Sequence, residues 1–232
     1  MINNKIWIFT RHKNQKHVAL GYVNNCIKMI KYVFLPYYTH KRVLSFRNML
    51  KMCHFTMTDH YYGYTKSHNP LYHLPGIFRD ETNKVILNIP KLKTVWYKKE
   101  LALLKTRKII KPKINNVPNE ALPKLINKGK FLYLHLPNKK YVSLYLSLME
   151  RSMKKLQYKF SIPELAYYLQ LGVICHPFEK VNFSLLMNQV NTILLLNGFN
   201  PIPHGYLDFK CFICDTSSFT NLLTKAILHE KR

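Results

Sequence analysis

The second half of the chain has a regular pattern of apolar and polar positions. From residue 142 to residue 156, apolar side chains recur every three or four positions, and lysines and arginines fall largely between them. This spacing predicts an amphipathic helix with one packed stripe and a basic remainder. Similar patterns predict a second helix over residues 181–196, which Gly198 and Pro201 would end, and a third over residues 219–229.

Short apolar runs between these helices predict β-strands. They cover residues 131–136, 159–162, 173–176 and 206–214, and prolines or turn residues bound most of them. The predicted order is strand, helix, strand, strand, helix, strand. This order predicts an α+β fold with a ferredoxin-like split βαβ domain.

The composition changes near Gly129. The preceding part is basic and irregular, and prolines interrupt it frequently. We therefore predict a long basic, partly helical N-terminal extension over residues 1–128 and a ferredoxin-like RNA-binding domain over residues 129–232. Within the extension, helices are predicted over residues 18–34, 43–57 and 91–110. The last has one apolar edge and a broad cationic face, which would face RNA or solvent.

The charge of the chain predicts a polyanionic partner. Its 36 Lys and Arg residues face 11 acidic residues, no acid precedes Asp59, and the formal net charge is +25. So much charge of one sign destabilises a compact state unless an anionic partner neutralises it and releases counterions. The 16 Tyr and 13 Phe residues among these cations suit a surface that stacks on bases as well as a core. RNA is therefore the predicted partner.

The sequence contains few candidate residues for catalysis or for metal binding. Asp80 and Glu81 are adjacent, which is a poor arrangement for converging on one substrate atom, and no glycine-rich phosphate loop occurs. Cys211 and Cys214 have the spacing of half a zinc site, but a second CxxC pair is missing, and a strand-like apolar run surrounds them. We predict no enzymatic activity, no cofactor, no metal and no small-molecule substrate.

No apolar run reaches the roughly 18 to 20 residues that span a bilayer, so no membrane insertion is expected. The abundance of Lys, Asn, Ile, Tyr and Phe resembles translation of an AT-rich organellar genome. This composition predicts a mitochondrial protein. The alternative is an accessory subunit of a mitochondrial respiratory or ATP synthase complex, whose cations would contact anionic lipid headgroups. A free RNA-processing factor is a further alternative.

Several C-terminal segments together resemble a known family. They are Phe131-Leu-Tyr-Leu-His-Leu136, the helix over residues 141–156, Phe160-Ser-Ile-Pro163, Val173-Ile-Cys-His-Pro177, the helix over residues 180–196, and the run from Ile202 to Ile213. Their order and spacing resemble the universal small-subunit ribosomal protein S-ten family over about the last hundred residues. The strongly basic segment near the end of the family's second helix is replaced here by Asn191-Thr-Ile-Leu-Leu-Leu196.

The resemblance implies a structural constituent of the mitochondrial ribosome, located in the small-subunit head beside other head proteins. It also implies a hairpin over residues 161–180 that reaches into folded ribosomal RNA. From charge and position we predict RNA contacts by twelve residues: Arg11, Lys13, Lys16, Lys41, Arg42, Lys98, Lys99, Arg107, Lys108, Lys154, Lys155 and His176.

Overall fold

A computed structural model describes residues 16–58, 76–81, 92–93, 109–110, 112–128, 131–178, 181–203 and 207–229. Within these ranges the protein is mostly helical, and its sheet is small. The predicted α+β, ferredoxin-like fold is therefore wrong. Two of the predicted domain's helices and one of its strands are present. The fold prediction failed because the other predicted strands belong to helices or to connections between helices.

The described N-terminal part is helical. Helix α1 spans Lys16–Met29 and continues through a π-helical turn, Ile30–Phe34, into the short helix α2, Leu35–Tyr38. Helix α3 spans Phe46–Thr58. The helices predicted over residues 18–34 and 43–57 are thereby confirmed.

A small antiparallel sheet lies between the two helical parts of the sequence. Its main ladder joins β3, Lys124–Lys128, to β4, Phe131–His135, and two-residue strands flank it: β1, Leu92–Lys93, and β2, Ile109–Ile110. The strand order is β1-β4-β3-β2. The strand predicted over residues 131–136 is confirmed. Four positions of the helix predicted over residues 91–110 are described, and they form strands β1 and β2 instead of helix. The other positions of that predicted helix lie outside the described residues.

The C-terminal part consists of five helices: α4 Val142–Tyr158, α5 Ile162–Cys175, α6 Asn182–Leu196, α7 Leu207–Ile213 and α8 Thr216–His229. Helices α4, α6 and α8 confirm the three helices that periodicity predicted. Helices α5 and α7 replace the predicted strands over residues 173–176 and 206–214. The predicted strand over residues 159–162 is the connection from α4 to α5, and the implied hairpin over residues 161–180 is largely helix α5.

Helix α5 begins at an N-cap, Ser161, that the strand interpretation overlooked. The Ser161 hydroxyl accepts a hydrogen bond from the Glu164 amide at 3.3 Å, and Pro163 lies in the first turn, where its missing N–H costs nothing. The helix ends where His176 adopts a left-handed conformation, with φ 48°. Helix α5 is buried on nearly all sides, from Leu165 to Cys175. Apolar residues around the whole circumference remove the periodicity by which a helix is recognised.

The hydrophobic core includes side chains from both sides of Gly129. Phe34 and Phe46 from the N-terminal helices share it with Tyr145, Tyr168 and Phe219. Helix α3 contacts both α4 and α6, and the edge of the Phe46 ring meets the face of Tyr168, with centroids 6.4 Å apart. Part of the predicted extension is thus packed against the C-terminal helices.

Close approach of three helices requires a glycine at position 172. A Cβ atom there would lie 2.7 Å from both terminal methyl carbons of Leu186 and 2.9 Å from the Met149 terminal methyl. Such distances are shorter than real Cβ contacts, so Gly172 lets α4 and α6 pack directly on the backbone of α5.

Candidate nucleic-acid interface

Helix α4 presents a polar face to solvent. Val142, Tyr145 and Met149 lie on its buried face, as the sequence predicted. The opposite face consists of exposed side chains at helical spacing: Ser143, Ser147, Arg151, Lys154, Lys155 and Tyr158. The basic residues cluster in the last two turns, where they also interact favourably with the negative end of the helix dipole.

The turn after α2 lies beside this end of α4. The Gln157 amide nitrogen donates hydrogen bonds to the carbonyl oxygens of Tyr37 and Tyr38, at 3.1 and 3.4 Å, and the Tyr38 hydroxyl donates to the Leu156 carbonyl at 3.0 Å. Lys41 and Arg42 follow in this turn, and both are exposed. The turn that carries Lys41 and Arg42 is therefore attached to the end of the helix that carries Lys154 and Lys155.

Arg42 and His40 hold the turn in place. The Arg42 guanidinium donates to the Tyr32 carbonyl at 3.3 Å, and its amide donates to the Pro36 carbonyl at 3.0 Å. His40 adopts a left-handed backbone conformation, with φ 57°, which allows the sharp reversal after α2. The guanidinium keeps further N–H groups that face outward, because one hydrogen bond uses one of its five donors.

Two grooves adjoin the end of α4. The first, which we call the Tyr158 groove, has a volume of about 450 Å³, and its lining consists of Lys154, Lys155, Tyr158, Lys159, Ser161 and Glu164. The second has about 570 Å³ and shares Lys155, Ser161 and Glu164 with the first. Because these three residues line both, the two grooves lie next to each other at the start of α5.

The two grooves differ in charge. In the second groove, Lys113 and Lys155 are balanced by Glu164 and Asp215. In the Tyr158 groove, three lysines face the single carboxylate of Glu164. The cationic groove is therefore the better site for a phosphate backbone.

The two ion pairs of this surface differ in burial. Lys154 pairs with Glu150 at 2.8 Å, and both side chains are exposed, so this pair contributes little, about 0 to 1 kcal/mol. Lys155 pairs with Glu164 at 3.2 Å, and the Glu164 side chain is only 17% exposed. Lys154 can therefore exchange its carboxylate for a phosphate at small cost, whereas Lys155 also compensates a largely buried charge.

The other eight predicted RNA-binding residues give less information about the interface. Lys16 is the first residue of α1, and six others lie outside the described residues: Arg11, Lys13, Lys98, Lys99, Arg107 and Lys108. His176 is partly buried at the end of α5. Burial, and then the nearby charge of Arg79, lower the pKa of its imidazole, so it is neutral near pH 7. A neutral imidazole can contact RNA by stacking or neutral hydrogen bonding, but not as a cation.

Arg79 is a buried cation that the sequence did not single out. Its Nε donates to the His176 carbonyl at 2.7 Å, and Nη2 donates to the carbonyls of Cys175 at 2.7 Å and Pro137 at 3.3 Å. The guanidinium thus caps the C-terminal end of α5 and ties it to the loop before α4. A lone Arg in an irregular segment gives no sequence signal for this role.

The adjacent acids Asp80 and Glu81 are used in ion pairs. Arg47 donates to Asp80 at 2.8 Å and to Glu81 at 3.2 Å, and Lys51 pairs with Glu81 at 2.7 Å. Partial burial raises the pKa of Glu81, but hydrogen bonds from Lys51, the Phe78 amide and Arg47 outweigh it, so the net pKa lies below its ordinary value. Both carboxylates therefore hold residues 76–81 against α3.

The cysteine pair belongs to helix α7 and its end. Cys211 is fully buried, and burial raises the pKa of its thiol. The carbonyls of Cys211 and Cys214 accept hydrogen bonds from the Gln170 amide. Among the described residues, His, Cys, Asp and Glu side chains nowhere gather in a group of three or more that could hold a metal ion.

No protein-family model matches the chain, and no characterised protein matches its sequence. Within the part of the chain that the structure describes, no helix combines the length and the apolar character needed to cross a membrane.

Proposed function

We propose that this chain is a non-catalytic RNA-binding protein of the mitochondrial ribosome. The observation that carries the proposal is the exposed cationic end of α4, where Lys154, Lys155 and Lys159 line one groove with a single carboxylate. The turn that carries the exposed Lys41 and Arg42 is hydrogen-bonded to the same end of α4 through Tyr38 and Gln157. A net charge of +25 requires a polyanion, and these cations form an exposed surface on which phosphates would release counterions.

A structural role fits the use of the described carboxylates. Asp80 and Glu81 are paired with Arg47 and Lys51, and Asp215 accepts a hydrogen bond from the Ser218 amide at the start of α8. Carboxylates that hold the fold together are poorly placed to act as general acids or bases on a substrate.

The small-subunit location and the neighbouring head proteins rest on the sequence resemblance alone. The helical fold removes the structural reason for that resemblance, because Ile162–Cys175 is a buried helix rather than an arm of an exposed hairpin. RNA binding as such does not depend on the resemblance, since it rests on charge and exposure.

The electrostatic proposal is tested by titrating the purified full chain with ribosomal RNA at several salt concentrations. The logarithm of the association constant should fall linearly with the logarithm of salt concentration. Replacing both lysines, Lys154→Gln and Lys155→Gln, should weaken binding at low salt and reduce the slope by about 1 for each phosphate that is no longer neutralised. Lys225→Gln, which removes one exposed cation from α8 outside the grooves, is the control and should change the slope less. Binding that ignores salt would overturn the proposal.

The cellular location is tested by sedimentation of the native protein after detergent treatment. Co-migration with the small ribosomal subunit, and release by high salt, are the expected results. Co-migration with a respiratory or ATP synthase complex would overturn the ribosomal assignment and favour a lipid-facing role for the same cations.

A further inference from the structure

Tyr158 is a large aromatic residue in an exposed position. Its relative exposure is 93%, whereas Tyr145 and Tyr168 are completely buried. It occupies the last position of α4, and Lys159 beyond it has an extended backbone. Single exposed rings are common on protein surfaces, so its surroundings decide whether it has a ligand.

Tyr158 lines an open surface groove. The Tyr158 groove has a volume of about 450 Å³ and is largely open to solvent, so a ligand could reach the exposed ring directly. The ring forms one part of the lining, and Lys154, Lys155 and Lys159 form another. An aromatic face combined with cations is the arrangement by which proteins hold single-stranded nucleic acid.

The charges of the groove favour an anionic ligand. Three lysines line the groove with the single carboxylate of Glu164, and the pair of Lys154 with Glu150 is exposed and easily exchanged. Lys159 is exposed, and none of the described carboxylates lies within ion-pair distance of it. The second groove lacks this excess of positive charge.

We propose that the Tyr158 groove binds an unpaired nucleotide of RNA. The base stacks on the Tyr158 ring, and the phosphates on either side contact Lys154, Lys155 and Lys159. A base within a duplex already stacks on its neighbours and cannot present a face, so the groove selects single-stranded or bulged RNA. This inference rests on the proposed RNA-binding function and specifies the RNA that one part of the surface recognises.

The test uses the purified full chain and two probes, a short single-stranded RNA and the same sequence as a duplex, each carrying a fluorescent label. A third probe carries the fluorescent base 2-aminopurine, whose emission falls when it stacks. Wild-type protein should quench the 2-aminopurine probe. Tyr158→Leu should lose this quenching and bind the single strand about 5- to 150-fold more weakly, since stacking contributes about 1–3 kcal/mol per base.

Matched variants separate stacking from charge. Tyr158→Phe keeps the ring and should retain both quenching and affinity. Lys159→Gln should weaken the binding of both probes and reduce the salt slope, whereas Tyr158→Leu should leave the slope unchanged because it removes no phosphate-binding cation. Phe55→Leu alters another exposed aromatic residue, 55% exposed on α3, and should have no effect.

The possible results distinguish the two proposals. If wild-type protein binds both probes with a normal salt dependence, and Tyr158→Leu weakens both equally or neither, the stacking inference is overturned and RNA binding stands. If wild-type protein binds neither probe, the proposed function itself is overturned.

Discussion

Arg79 stabilises the fold through three backbone carbonyls rather than through a carboxylate. Its guanidinium is buried, and the carbonyls of Pro137, Cys175 and His176 surround it. The last carbonyls of a helix have no partner within the helix, so a planar donor group placed there satisfies several of them at once.

Replacing this arginine should therefore destabilise the protein strongly. We expect Arg79→Met to lower the free energy of unfolding by about 3 kcal/mol, because it leaves buried carbonyls without donors. Arg79→Lys should recover part of the loss, since an ammonium group can reach fewer of them. Chemical denaturation measures both. Arg151→Met, on the exposed face of α4, is the control and should change the stability by less than about 0.5 kcal/mol. An equally small effect at Arg79 would show that the cap contributes little.

The buried phenol of Tyr37 should make the folded state less stable at alkaline pH. Burial, and then the negative charge of Glu150, raise the pKa of its phenol from 10.0 to about 12. The folded state therefore retains a proton that the unfolded state loses first. The stabilisation from this residue is fully present below pH 10 and is lost as pH rises through about 12.

Tyr37→Phe should remove this component. Between pH 9 and pH 11 the wild-type protein should lose roughly 1 kcal/mol more stability than the variant, because one pKa unit corresponds to about 1.4 kcal/mol. Denaturant unfolding at each pH gives the difference between the two proteins. If the curves of unfolding free energy against pH run parallel for wild-type protein and Tyr37→Phe, the raised pKa assigned to Tyr37 is wrong. The other tyrosines and cysteines are present in both proteins and do not affect this comparison.

At the level of the helix, the start of α5 depends on Ser161. Ser161→Ala should lower the free energy of unfolding by about 1 kcal/mol, because it removes the side-chain acceptor of the Glu164 amide. Ser161→Asp should restore most of it. Ser147→Ala, at an exposed position within α4, should have no destabilising effect, since alanine is the better helix former. If both alanine variants behave alike, the Ser161 N-cap is not what fixes the start of α5.

The contrast between α4 and α5 shows how far the sequence could predict the elements. Helix α4 has one apolar stripe, so its spacing of three and four was recognisable from the sequence. Helix α5 is surrounded by other helices, and its stretch from Leu165 to Cys175 resembles a buried strand as much as a buried helix. The Ser161-x-x-Glu164 pattern was the signal that could have distinguished them.

The candidate site was predictable in part for a similar reason. Charge alone identified Lys41, Arg42, Lys154 and Lys155, and all four are exposed. The attachment of the α2 turn to the end of α4 was not predictable, because it depends on hydrogen bonds from Gln157 to the backbone of Tyr37 and Tyr38. Tyr158 was also missed, because the sequence does not show which of 16 tyrosines is exposed.

For the whole molecule, net charge is the dominant feature. A charge of +25 on 232 residues produces self-repulsion in the folded state. The ion pairs among the described residues involve four carboxylates, and the side chains of their lysines and arginines are about one third to two thirds exposed. Four carboxylates offset only a small part of the repulsion among so many cations.

Added salt should therefore stabilise the isolated protein while it weakens RNA binding. Raising the ionic strength from about 0.01 M to about 0.15 M shortens the screening length from about 30 Å to about 8 Å, which suppresses repulsion between distant cations. We expect the free energy of unfolding to rise by about 1 kcal/mol, which corresponds to a rise in Tm of about 2–4 °C for a chain of this size. Thermal unfolding at several sodium chloride concentrations measures this rise in Tm. At low salt, a short RNA should also raise Tm, because the RNA binds the folded state. A Tm that falls with salt would mean that attractive ion pairs outweigh the repulsion, and RNA would then not be needed to neutralise the fold.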